Sequence, residues 1–316
     1  MQLQQLAYFL AVAQHRHFTR AAEAVHVAQP SLSQQIRALE HELGAVLFSR
    51  ARGNIALTPA GETLLPLARR ILADVDTARL EVQELATLRR GRVRLGATPS
   101  LCTGLLPEVL REFRRQYPGI QLMIEENGSR DLVRELAEGE LDLALIILPL
   151  HATDPALATT ALLREQLVVA SSPATAPITH RRRLRVTDLR DQPLVMFRRG
   201  YDLREFTVGA CQDAGFVPTF AIEGGEMDAV LGFVAAGLGI AVVPSMVVGS
   251  MVVADRFRTT PFTAPGLSRT IGLAHRKDVQ PPRAAQALRT VLLDYLRQAE
   301  AAGTLPPGTS PVPPPD

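Results

Sequence analysis

Leu64, Leu67, Ile71, Val75, Ala78, Val82 and Leu85 recur at intervals of 3, 4, 4, 3, 4 and 3 residues. Such spacing keeps the apolar side chains on one stripe of a helix for about three heptads, close to a coiled-coil seam. Thr58-Pro59 marks the start, an N-cap residue followed by proline at the first helical position. Pro66 lies within the first turns and predicts a kink. Arg89-Arg90-Gly91-Arg92 ends the run and reads as a hinge. The patterns on either side of this long helix differ, so it divides the molecule.

Upstream, residues 1–57 read as a compact helical unit. Leu3, Leu6, Leu10 and Ala13 repeat at helical spacing. Thr19 is placed to cap a second helix with Ala21, Ala22 and Val25 on its inner face. His26 falls where a tight turn requires positive φ, a conformation that histidine tolerates better than most residues. Gln29-Pro30 opens a third helix that stops at Gly44. Leu32, Ile36, Leu39 and Leu43 form its inner face; Gln29, Ser31, Ser33, Gln34 and Arg37 form its outer face. Residues 49–57 read as a short hairpin with a Gly53-Asn54 tip.

After residue 92 the pattern becomes α/β alternation. Strands are predicted at 93–97, 121–125, 142–147, 166–170, 194–197, 219–222, 239–243 and 270–275. Helices are predicted at 104–116, 131–138, 203–214, 227–236 and 284–299. Such alternation implies βαβ units and a largely parallel, covered sheet, here long enough for two lobes. No charged residue falls between Asp228 and Asp255, but Gly232, Gly237, Gly239, Pro244 and Gly249 punctuate that stretch. It reads as helix, turn and buried strand, not as a membrane span. The tail, 303–316, is Pro-rich and without apolar periodicity, so disorder is expected.

The 316 residues suffice for about two domains. At 47% hydrophobic and 21% charged, the chain is neither fibrous nor disordered. A net charge of +2 does not by itself argue for nucleic acid. Cys102 and Cys211 cannot form a disulfide framework and read as inert structural thiols. The first residues show no basic leader or cleavage signal, and a reducing cytoplasm is expected. Gly237-Leu238-Gly239 precedes a strand and is no dinucleotide fingerprint. The histidines lack metal-type spacing, so neither cofactor nor metal is expected.

Phe18–Leu43 has the spacing of a helix-turn-helix, in which a polar helix supported by packed ones can enter the major groove. Its Gln and Ser side chains can bond base edges, and Pro30 can touch a thymine methyl. Phosphate affinity then falls to helix N-termini and to Arg50 and Arg52 of the hairpin.

Residues 18–62 closely resemble the winged helix-turn-helix signature of LysR-type transcriptional regulators. The resemblance is carried by AQPSLSQQIRALE, LGAVLFSR and LTPAG. Further landmarks, VRLGATPS, GELDLALI, DLRDQPLVMF and VAAGLGIAVVP, extend it over nearly the whole chain. Ala28 departs from it, standing where many members have a serine that would cap the recognition helix. The implied fold class is multidomain α/β. A winged helix-turn-helix (1–58) is followed by a dimerisation helix (59–90) and a two-lobed, periplasmic-binding-protein-like effector domain (91–302).

The resemblance implies a homodimer or homotetramer on an interrupted dyad in double-stranded promoter DNA, with RNA polymerase as a further partner. Gln29, Pro30, Ser31, Ser33, Gln34 and Arg37 would face the DNA, with Arg50, Arg52 and Thr58 around the wing. A small, anionic metabolite would lie between the lobes. Thr98, Ser100, Gly128 and Ser129 would bind it at helix starts, and Phe197 would supply an apolar wall. Arg198 and Arg199 would neutralise a carboxylate, unless they pair with Asp202 and Glu205; Glu223, Glu226 and Met227 would border the cleft. No catalytic residue is assigned. A transporter's solute-binding protein is the first alternative, disfavoured by the DNA module. A two-lobed enzyme is the second, disfavoured by the absence of a nucleophile–base pair.

Overall fold

The structure is a computed structural model describing residues 1–51, 54–83, 91–149, 156–178, 181–249 and 256–312. It divides into two units, Met1–Ala86 with Glu135–Glu140, and Thr87–Arg134 with Leu141–Asp316.

The first unit contains α1 (Leu3–His15), α2 (Phe18–Ala24), α3 (Gln29–Leu43), the hairpin β1 (Phe48–Ala51) and β2 (Asn54–Leu57), and α4 (Pro59–Gln83). Leu6, Phe9, Val12, Ala21, Leu32, Ile36, Leu39 and Leu47 are its fully buried centre. Removing each of these larger side chains from water contributes about 1.5–3 kcal/mol. His26 has φ +56°, so the turn between α2 and α3 is as expected. Gly44 closes α3 at φ +64°, where its lack of a Cβ is required. The cap of α2 is not Thr19: His17 occupies that position, its Nδ1 accepting from the Thr19 and Arg20 amides at 3.2 and 3.5 Å. Leu43 is 41% exposed, since the inner face of α3 ends at Leu39. On α4, Leu64 and Ile71 pack against the core, whereas Leu67 and Val82 are 50% and 69% exposed. Leu85 and the first part of the Arg89–Arg92 hinge lie outside the described residues, while Gly91 and Arg92 already belong to a strand.

In the second unit, β3 (Gly91–Ala97) lies between β4 (Ile120–Glu126) and β5 (Leu143–Leu148), all parallel. Helices α5 (Pro99–Gly104), α6 (Leu106–Gln116) and α7 (Ser129–Ala137) connect them. The sheet continues through β11 (Ser268–Arg276) to β6 (Leu157–Ser171), both antiparallel to their neighbours. Strands β9 (Ala241–Pro244) and β10 (Arg258–Pro261) flank the far half of β6, again antiparallel. The expectation of a largely parallel sheet is thus corrected: apolar periodicity reports burial, not direction. Strand β6 spans 15 residues, three times its predicted length, because its first half alternates weakly and carries exposed threonines.

Two cores result. One gathers Leu95, Leu101, Phe113, Leu145 and Leu288, under α6 and α11 (Arg283–Ala302). The other gathers Val169, Phe197, Val230, Val234 and Val243. It is covered by α8 (Asp202–Asp213) and α9 (Met227–Ala235) and includes the parallel pair β7 (Leu194–Met196) and β8 (Phe220–Glu223). The stretch without charges resolves into α9, β9 and a short helix, α10 (Ser245–Val248). Among the described residues no helix is long and apolar enough to cross a membrane. The tail, expected to be disordered, forms β12 (Thr309–Pro311) on the edge of β6. The Gln166 amide donates to the Gly308 carbonyl at 2.9 Å, and Ser245 Oγ to that of Pro307 at 2.9 Å. A free strand edge thereby gains partners that composition could not reveal.

Candidate functional site

The first candidate surface is the outer side of α3. Pro30, Ser31, Gln34 and Arg37 are exposed there, on neighbouring turns of one ridge. Gln29 is half-buried, and its Nε2 donates to Ser33 Oγ at 2.7 Å. Ser33 is only 8% exposed, so its expected place on the outer face is corrected: it lies on the Gln29–Ser33–Ile36 row. Glu40 joins α3 to the hairpin, its Oε1 accepting from the Leu47 and Phe48 amides at 2.8 and 3.4 Å. Sequence reasoning missed this clamp, whose partners are backbone groups. Thr58 Oγ1 donates to the Val46 carbonyl and accepts from the Gly61 amide at 3.1 Å, so the hydroxyl holds the start of α4. A Cβ on Gly61 would collide with the Leu47 carbonyl, which explains glycine here. Arg50 lies in β1; Arg52 lies outside the described residues.

The second candidate surface is between the lobes of the second unit. Thr98 is the N-cap of α5 but makes no side-chain cap; its buried Oγ1 has no partner among the described residues. Ser100 accepts a 2.7 Å hydrogen bond from Arg269 Nη2. That guanidinium pairs with Glu165, whose other oxygen accepts from the Met246 amide at 3.1 Å. Arg269 and Glu165 are 5% and 0% exposed, a buried ion pair with its hydrogen bonds filled. Across the cleft, Asp202 Oδ2 accepts from Ser129 Oγ at 2.6 Å and from the Ser129 amide at 3.2 Å. Ser129 Oγ in turn accepts from the Ile147 amide at 3.0 Å. The N-terminus of α7, expected to receive a ligand anion, thus holds a carboxylate of the opposite lobe. Gly128 is buried beside it, and its carbonyl accepts from the Asp131 and Leu132 amides at 3.0 and 3.1 Å.

Phe197 is not an open wall. It is 1% exposed and stacks on Tyr201, with ring centroids 4.7 Å apart and planes at 4°. The core claims both rings, and the aromatic residue that lines the interlobe cavity is Phe206. The Tyr201 hydroxyl is buried and without a partner among the described residues. Burial pushes its pKa up, the Glu226, Glu126 and Asp202 charges add to this, and Arg269 opposes it. Arg198 and Glu226, singled out separately, form an ion pair, and Arg199 and Arg204 share Glu223. Arg198 is therefore not a free guanidinium awaiting an anion. Tyr201, Asp202, Arg269 and Glu165 were missed as site residues; only Asp202, following Gly200-Tyr201 at a helix start, carried a local signal.

Residues 3–62 match the bacterial regulatory helix-turn-helix proteins of the lysR family, and residues 86–297 match the LysR substrate binding domain. The chain is 31% identical over 302 residues to the transcriptional dual regulator GltC of Bacillus subtilis (strain 168), covering 95% of this chain and 99% of that protein. It is 34% identical over 310 residues to the HTH-type transcriptional regulator TtuA of Agrobacterium vitis, covering 96% and 100%. Among solved structures, a full-length OxyR point variant from Pseudomonas aeruginosa superposes with a TM-score of 0.71 at 31% identity, covering 92% of this chain and 94% of that one. Full-length CbnR in complex with its target DNA gives 0.69 at 25% identity, covering 95% and 100%. A DNA-reading helix pair joined to a two-lobed ligand-binding domain defines a ligand-controlled transcriptional regulator. The chain belongs to the LysR family of such regulators.

Proposed function

We propose that α3 reads one half-site of an interrupted promoter dyad through Ser31, Gln34 and Arg37, with Gln29 and Pro30 at its leading end. In this reading Arg50 and Arg52 of the wing follow the backbone, and the exposed α4 seam joins two copies. One polar helix binds weakly; coupling two raises the effective concentration of the second. The regulator would act in the cytoplasm, where promoter DNA lies, with RNA polymerase as its downstream partner. The effector is a small metabolite held near Thr98, Tyr201 and the Arg198–Glu226 pair, and it biases the closure of the lobes.

The observation that carries the effector placement is that Thr98 Oγ1 and Tyr201 Oη are two of the three buried hydroxyls, with Thr207 Oγ1, that have no partner among the described residues. A buried polar group left unpaired costs about 1–3 kcal/mol, and a ligand that pairs it recovers that cost. Gel shifts on the chain's own promoter region test both halves. Gln34→Ala should lower the preference for promoter over random DNA by about 1–3 kcal/mol, or tenfold and more. Without added ligand, Thr98→Val and Tyr201→Phe should leave DNA binding intact and should not lower the urea midpoint. A clear loss of stability in both would mean that the hydroxyls serve the fold and not a ligand.

A further inference from the structure

A cavity of about 910 Å3 opens between the lobes, within the roughly 300–1,000 Å3 of small-molecule sites. Val133 and Leu148 from one lobe face Leu203 and Phe206 from the other, so its walls are mainly apolar. Its charges cancel: Arg130 and Arg164 stand against Asp202 and Glu205, and Glu165 neutralises Arg269. Shape and apolar area therefore decide what enters. One lining residue comes from the tail. Val312 borders the cavity together with Arg164, Ser268 and Thr270 of the sheet.

The tail is fitted to its place. Gly303 ends α11 at φ +66°, and the Thr304 amide donates back to the Ala299 carbonyl at 2.8 Å. Leu305 packs against the core under α11. Ser245 Oγ holds the Pro307 carbonyl, and Gly308, at φ +69°, passes so close to Ser245 that a Cβ would collide with it. Strand β12 then runs antiparallel along β6, with Ser310 opposite Arg164, and delivers Val312 to the cavity. The fastening is light all the same. Pro306, Pro307 and Pro311 have no N–H to donate, and β12 is three residues long. Pro307, Gly308, Ser310 and Pro311 are exposed. A segment with few buried contacts and few backbone bonds opens locally while the rest of the fold stays closed.

We infer that residues 304–312 form a detachable strap across the interlobe cavity. Bound, the strap sets Val312 as a wall and slows the entry of apolar molecules; released, it opens a way in. Motions of this kind, in which a short segment lifts from a rigid frame, gate many binding sites. The inference does not rest on the effector placement proposed above, since it uses neither Thr98 nor Tyr201.

The chain has no Trp, so Phe206→Trp puts a single indole in the cavity wall. Stopped-flow energy transfer from that indole to N-phenyl-1-naphthylamine, a neutral apolar probe, times entry. In this background, ending the chain at Gly303 should quicken entry at least tenfold. Arg164→Cys with Ser310→Cys replaces two cross-strand partners. Their Cα atoms, in a hydrogen-bonded pair of this kind, lie about 5.5 Å apart, within reach of a disulfide. Oxidised, this variant should admit the probe at least tenfold more slowly than the same protein reduced. Circular dichroism verifies the fold of each form, and if the shortened chain does not fold, the oxidised and reduced forms decide alone. The inference is overturned if those two forms take up the probe at one rate. It is equally overturned if the folded, shortened chain admits the probe no faster than the full one, or if no form gives energy transfer.

Discussion

At the scale of single residues, the second unit depends on Glu165 and Arg269, a pair 104 positions apart. Their separation is why no reading of the sequence could join them. Glu165 is wholly buried, so removing its charge leaves the Arg269 guanidinium, among the described residues, with Ser100 as its remaining side-chain partner. Glu165→Gln should cost about 3–5 kcal/mol, read from urea unfolding of the full chain. The cysteines show the opposite case, where sequence and structure agree. Burial first, then the neighbouring Glu126, pushes the Cys102 thiol from its ordinary value near 9 up to about 12. Burial alone pushes Cys211 up to about 11. At neutral pH thiolate is therefore scarce, and alkylation of Cys102 should run about a thousandfold slower than in the unfolded chain. The unfolded chain loses these protons from about pH 9, while the folded chain keeps them to about 11 and 12. Stability should therefore fall as pH rises through that window, and less steeply once both cysteines are alanine, as urea midpoints at about pH 8 and about pH 10.5 would show.

At the scale of elements, the helix-turn-helix was legible because its signals are local. His26 at positive φ, proline in the first turn of α3 and Gly44 at its end each fix a dihedral from one residue's chemistry. Ser33 was misplaced because a residue on the flank of an amphipathic helix reads as polar and outward until a neighbour such as Gln29 covers it. The contact between α7 and α8 was illegible, since Ser129 and Asp202 sit 73 positions apart and each reads as an ordinary helix start. It is also a direct polar tie between the lobes. Hydrogen bonds to a charged group are worth about 1.5–3 kcal/mol. Asp202→Asn should weaken the tie, and hydrogen exchange at the first amides of α7 and α8 should quicken severalfold. Unchanged protection would show that this tie does not hold the two helix starts in place.

At the scale of the whole molecule, the seam on α4 is the feature that the single chain leaves unfinished. Leu64 and Ile71 are partly covered within the first unit, but Leu67 and Val82 face solvent in a lone copy. Leu67→Arg with Val82→Glu should shift sedimentation toward monomer and weaken promoter binding at least tenfold, with little change in the melting of one subunit. Strand β6 has a different consequence. It passes through both lobes without interruption, hydrogen-bonded to β11, β12, β9 and β10 in turn. A ribbon shared in this way cannot be released from one lobe while the other stays intact. The ligand-binding half of the protein should therefore melt as one cooperative block, giving a single endotherm in scanning calorimetry where a pair of lobes strung on loops would give two.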